Sequence, residues 1–193
     1  IVSRLKRKKI LDVLAAGKRM DGRDLLEYRE WEIKTNFLEK SEGSAEVRLG
    51  KTRVVVGVKV DIGHPFEDTP DAGVMIVNAE YTPVAHPTWE PGPPPDDAIE
   101  LARVVDRGLR AAEIIDMEKL GLVSGEKVQM IFVDLYVLNY DGNLIDACSA
   151  GALAALTTAG VPEFKVSKSD EIEKTDKTEK LKLRAHPIAV TIC

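Results

Sequence analysis

Apolar positions along this chain follow two different periods, and the changes between them mark its elements. From Ala98 they recur at Leu101, Ala102, Val105, Leu109 and Ala112, spacings of three and four that lie on one helix face. This predicts a buried helix over 98–116. Ahead of it, Pro91, Pro93, Pro94 and Pro95 lack amide donors and bias the backbone toward extended geometry. Asp96 and Asp97 then offer a side-chain cap, with charge suited to the positive end of the helix dipole.

Strand periods dominate elsewhere. Trp31–Phe37, Ala45–Leu49, Thr52–Ile62 and Val74–Val84 carry β-branched residues and partial alternation, with Gly50-Lys51 joining two of them as a tight hairpin. Lys127–Leu138, KVQMIFVDLYVL, is the strongest strand signal. Asp141-Gly142 turns it, and Asn143 with Asp146 caps a helix over Leu144–Thr158. That helix holds Ala147, Cys148, Ala150, Gly151, Ala152, Ala154 and Ala155, so small side chains all round imply close approach to a sheet or another helix. Ser3–Ala16 reads as an amphipathic helix with Leu5, Leu11 and Leu14 apolar, a basic cluster at Arg4 and Lys6–Lys9, and a stop at Gly17. His64–Gly73 is a loop by composition. Lys165–Lys182 is rich in Lys, Glu, Thr and Ser, a solvated hairpin or linker. His186–Cys193 opens a new apolar strand. The expected layout is a helix over 1–18, a main domain over 19–163, a charged hairpin or linker over 164–185, and a second domain only begun at 186–193.

Composition narrows the function. The 193 residues are 44% hydrophobic and 31% charged, a globular composition and not a disordered one. Net charge is −5, so any polyanion must be met by a local basic patch and not by the whole surface. Arg103, Arg107 and Arg110 supply one, since four and seven residues are close to whole turns and place them together opposite the apolar stripe. Two readings compete: a solvated face with Asp106 pairing across a turn, or a ridge whose guanidinium forks match phosphate oxygens. Aromatic content of 5% is sparse for the stacking platforms of single-strand binders. Cys148 and Cys193 make no disulfide framework and point to a reducing, cytoplasmic address. No apolar run is long enough to span a membrane. The chain opens on Ile1, so its true start is expected upstream.

Other chemistry finds little support. His64, His86 and His186 each precede a proline, so no pair shares a helix face as a zinc protease motif requires. Gly121–Lys127, GLVSGEK, is one residue short of a phosphate loop and precedes a strand. Asp134, Asp141 and Asp146 could converge on a magnesium ion, but strand, turn and cap each account for one. No metal and no cofactor is expected, and nothing assembles a nucleophile with a base.

At this point the residues resemble a known family. Arg19-Met-Asp-Gly-Arg23 followed by Arg29, Gly43-Ser-Ala-x-Val47-x-x-Gly50-x-Thr52, and Asp134–Ala147 (DLYVLNYDGNLIDA) are similar to motifs of ribonuclease PH-type proteins. Glu67–Gly73, Glu90–Arg110 and Asn139–Ala147 resemble the non-catalytic ring subunit of the archaeal exosome. Catalytic relatives carry a basic, serine-containing segment where this chain has Pro91–Asp97, and Gly-Gly-Thr where it has Gly142-Asn143-Leu144. The resemblance implies an α+β, two-layer RNase PH-type domain, a mixed sheet covered by helices. It implies a hetero-hexameric ring with a catalytic sister subunit and RNA-binding cap proteins, degrading single-stranded RNA from its 3′ end with phosphate as nucleophile. It also implies that Arg103, Arg107 and Arg110 meet RNA phosphates. Two alternatives stay open: an autonomous phosphorolytic exoribonuclease whose catalytic acids lie beyond Cys193, and a purely structural subunit.

Overall fold

The computed structural model describes residues 3–166 and 172–192. It comprises two compact units, 1–30 and 31–193.

In the first unit, helix α1 (Arg4–Ala15) begins at Ser3, whose Oγ accepts from the Lys6 amide at 3.3 Å. Gly17, at φ +75°, ends it. The RMDGR motif then folds on itself. The Arg23 guanidinium donates to Asp21 at 2.8 Å and to the Glu27 carbonyl at 2.7 Å, while Arg19 donates to the Leu25 carbonyl. The helix buries none of its residues, and Leu5, Leu11 and Leu14 stay exposed. Ile10 and Val13 are half-buried.

The second unit is a mixed sheet with helices on one face. The sheet has strands β1 (Trp31–Thr35), β2 (Gly43–Leu49), β3 (Thr52–Gly63), β4 (Val74–Tyr81), β5 (Gly121–Val123) and β6 (Lys127–Asn139). Its order is β1-β2-β3-β6-β4, with β5 paired to β6. All pairings are antiparallel except β4 with β6, whose connection carries helix α2 (Asp96–Ala111) across the sheet. Leu49 pairs with Thr52, so Gly50, at φ +59°, and Lys51 close the expected hairpin. Alternation on β3 and β6 turns Val54, Val56, Val58, Ile131, Val133, Leu135 and Val137 inward. Helix α3 (Leu144–Thr158) packs on β2 and β3, and α2 packs on β4 and beside α3. Gly151 is where α3 meets the sheet most closely: a Cβ there would stand 2.7 Å from Val56 Cγ2.

Four expectations change. Asp96 and Asp97 do not cap α2. Pro95 holds the cap position, its carbonyl accepting from the amides of Ala98 and Ile99, and the aspartates act in the first turn through charge alone. The helix ends at Ala111, not near Asp116. Glu113 adopts φ +46°, its amide returns to the Arg110 carbonyl, and the Ile114 amide returns to Leu109, which is the Schellman arrangement with glutamate in glycine's place. Ile114 and Leu109 are both buried, so their contact fixes the stop. A 3-10 turn (Met117–Leu120) and β5 follow, where the sequence showed only the discarded phosphate-loop likeness. Finally, 186–192 is not a strand, since no described neighbour offers it a ladder. Ile188, Val190 and Ile192 are exposed, and the Thr191 hydroxyl and amide are held by the buried Asp146 carboxylate at 2.8 and 3.2 Å.

The charged stretch does form a hairpin, of β7 (Gly160–Val166) and β8 (Ile172–Lys180), in a separate two-stranded sheet. Residues 167–171 of it, and Cys193, lie outside the described residues.

Candidate nucleic-acid interface

The apolar stripe of α2 decides where its arginines point. Ala98, Leu101, Ala102, Val105 and Leu109 are buried as the spacing predicts, which turns the opposite face to solvent. Arg103 and Arg107 are exposed there and make no ion pair or side-chain hydrogen bond among the described residues. They border a shallow groove of about 730 Å³ along the helix, shared with Ile99, Glu100, Val104 and Gly108. Arg110 is placed differently. Its Nε donates to both Asp106 carboxylate oxygens at 2.8 and 2.9 Å, and its Nη2 donates to the Met75 carbonyl on β4. The structure thus separates the row into two uncommitted guanidinium groups and one that ties the helix to the sheet edge.

A cluster of rings sets where α2 begins, and the sequence reading missed it. Tyr81, at the end of β4, stacks on Trp89 with centroids 4.2 Å apart, and Trp89 stacks on Tyr140 at 5.3 Å. His86 packs 5.7 Å from both Trp89 and Tyr140. The proline segment is thereby pinned over the ends of β4 and β6. Burial, then the nearby Cys148, Asp97, Tyr140 and Glu100, pushes the Tyr81 hydroxyl up to about 12. It therefore remains a donor at neutral pH, and it donates to the Asp97 carbonyl at 3.2 Å. One local signal was available: His86-Pro-Thr-Trp89 closes a turn, the Trp89 amide donating to the His86 carbonyl at 3.1 Å. Tyr81 and Tyr140 could not be joined to it without the fold.

The three aspartates do not converge. Asp134 accepts from Asn78 across the β4–β6 pairing, and the Asp141 amide donates to Thr52 in the turn. Asp146 is buried in the first turn of α3. Asn143, in the left-handed region at φ +53°, accepts from the Asp146 amide at 3.4 Å and donates to its carboxylate at 2.8 Å. The N-terminus of α3 is therefore occupied by the chain's own groups. Among the described residues no cluster of His, Cys, Asp or Glu is arranged to hold a metal ion. No described helix is long and apolar enough to cross a membrane.

The profile of the 3′ exoribonuclease family, domain 1 (RNase PH), matches residues 27–162. The exosome complex component Rrp42 of Thermococcus gammatolerans is 52% identical over 192 residues, which is 99% of this chain and 70% of that protein. Its counterpart from Methanopyrus kandleri is 47% identical over 193 residues, 100% of this chain and 72% of the relative. Among solved structures, the Archaeoglobus fulgidus exosome with RNA bound to the active site contains a chain 49% identical, with a TM-score of 0.85, covering 95% of this chain and 70% of that one. An archaeal exosome core matches at 44% identity and a TM-score of 0.79, over 95% of this chain and 67% of that one. With a family profile over most of its length, and relatives near half identical along nearly all of it, the chain belongs to the RNase PH family of 3′ exoribonucleases.

Proposed function

We propose that this chain is a ring subunit of an archaeal exosome, one that binds RNA and shapes the site of a catalytic sister subunit without breaking the phosphodiester bond itself. The observation that carries the reading is the pair of uncommitted guanidinium groups, Arg103 and Arg107, held outward in a chain of net charge −5. They grip backbone phosphates in two-point geometry. Arg110 stands at the end of the row as the lesser contact, since Asp106 already holds it. The likeness to a chain of an exosome with RNA at its active site supports the assembly. The sister subunit uses inorganic phosphate as nucleophile, RNA-binding cap proteins deliver the single strand, and the complex works in the cytoplasm. This subunit contributes positioning and needs no cofactor of its own. Phosphate contacts carry no base identity, so sequence selectivity is low.

The non-catalytic part has its own support. A helix N-terminus is a ready anion site, yet at α3 the Asn143 side chain engages the Asp146 amide and the Asp146 carboxylate lies beside it. An incoming phosphate meets negative charge there and at Asp96 and Asp97.

Two measurements test the proposal. The full-length chain alone, given single-stranded RNA and phosphate, releases no nucleoside diphosphate, while the assembled ring does; comparable release by the chain alone refutes the architectural role. In the ring, Arg103→Glu combined with Arg107→Glu lowers RNA affinity and makes the log affinity–log salt slope shallower by about 1.4, the loss of two phosphate contacts on a single strand. Unchanged binding removes the arginines from the RNA path.

A further inference from the structure

Helices α2 and α3 each contain a glycine in their interior, and among the described residues a close contact accounts for that of α3 alone. At Gly151 a Cβ would press on Val56, so close packing explains it. At Gly108 a Cβ would meet nothing within 4 Å, the residue is exposed, and its φ lies outside the left-handed region. Glycine is the poorest helix former after proline, and an exposed interior position normally favours alanine. The cost at Gly108 returns nothing among the described residues.

Its surroundings indicate where the return lies. Val104 and Gly108, four residues apart, form a strip along the same groove that Arg103 and Arg107 border. Val104 is 40% exposed. On one side, then, stand two uncommitted positive groups, and on the other a low apolar wall that ends at a bare main chain. Glu100 borders the groove one turn nearer the N-terminus, with Asp96 beyond it. That end repels negative charge. A polyanion therefore fits the C-terminal half of α2, beside Arg103 and Arg107.

We propose that Gly108 is a clearance residue for RNA: the strand lies along the C-terminal half of α2 with its phosphates on Arg103 and Arg107 and its ribose against Val104 and the Gly108 main chain. Glycine permits this because, with no Cβ, the backbone of a ligand can approach the helix directly. The inference rests on RNA as the ligand of the arginine row and adds its path and its point of closest approach. A structural role and a clearance role predict opposite signs. Restoring a side chain improves the helix and obstructs the ligand.

The test uses the full-length chain in the assembled ring, with a fluorescent single-stranded oligoadenylate read by anisotropy. Gly108→Val is expected to weaken binding about tenfold, an order-of-magnitude change on the affinity scale. Gly108→Ala raises the melting temperature of the chain by about 2–4 °C and weakens binding by a smaller factor. If both variants bind as the parent does while Arg103→Glu with Arg107→Glu loses binding, RNA is on the row but not against Gly108, and this inference falls alone. If neither set changes binding, the RNA-binding role falls with it. If Gly108→Ala folds but no longer enters the ring, by size-exclusion mass, the groove holds a polypeptide and the proposal is overturned.

Discussion

Helices α2 and α3 cover the same face of one sheet, but they are built on opposite rules. In α2 an apolar stripe of Ala98, Leu101, Ala102, Val105 and Leu109 is buried, and Ile99, Arg103, Val104 and Arg107 are left in solvent. In α3 only Ile145 is exposed, and the other positions are buried or half-buried. Long side chains on one face give α2 an inside and an outside, and so a surface that can be offered to a ligand. Small side chains all round give α3 no outside; it is a spacer whose thickness sets the distance to β2 and β3. The chain thus places its adaptable chemistry on the helix that is half free and its structural precision on the one that is enclosed.

The largest expected effect lies in α3. Leu156 is fully buried, so Leu156→Ala should cost about 2–5 kcal/mol, whereas Ile99→Ala on the outer face of α2 should stay within about 0.5 kcal/mol. Urea denaturation of the two variants makes the contrast quantitative, and equal losses would break it. Next comes Gly151→Ala, where the added methyl meets Val56 and overpacking should cost about 1–3 kcal/mol. The same substitution at Gly108 should be neutral or stabilising, so the pair of alanine variants moves in opposite directions.

The smallest effect concerns Cys148, whose thiol burial pushes up to about 12 from an ordinary 9.0. The unfolded thiol then releases its proton first as pH rises, the unfolded state binds fewer protons, and stability must fall. The contribution is fully present below pH 9 and is lost between there and about 12. Stability measured from pH 8 to 10 should decline more steeply for the parent than for Cys148→Ala, and parallel curves would show the thiol to be reachable by solvent.

What the sequence disclosed follows the same division. The α2 stripe, the β6 run, the Gly50-Lys51 hairpin and the α3 limits are local patterns, and the fold repeats them nearly residue for residue. The end of α2 was hidden because Glu113 occupies a left-handed position that glycine usually marks, and only the burial of Ile114 against Leu109 makes that position hold. The strand expected at 186–193 is absent over the described 186–192, because alternation says a segment can be a strand, not that a partner lies beside it. At the candidate site, spacing aligned Arg103, Arg107 and Arg110, but the withdrawal of Arg110 depends on Met75, brought alongside by the β4–β6 pairing. The ring cluster was illegible for the same reason, since Tyr81, Trp89 and Tyr140 meet only once two strand ends are side by side.

The position of β6 has a consequence for how the molecule is made. β3 pairs with β6, as Val56 with Leu135, and β4 pairs with β6 too, as Val77 with Val133, so two earlier strands depend on one that emerges later from the ribosome. The β1–β2 and β2–β3 pairs can close early, because their contacts are local. Until Asn139 has been synthesised, the nascent polypeptide leaves the valine-rich edge of β3 and the whole of β4 without their partner, the kind of surface on which partly folded chains associate.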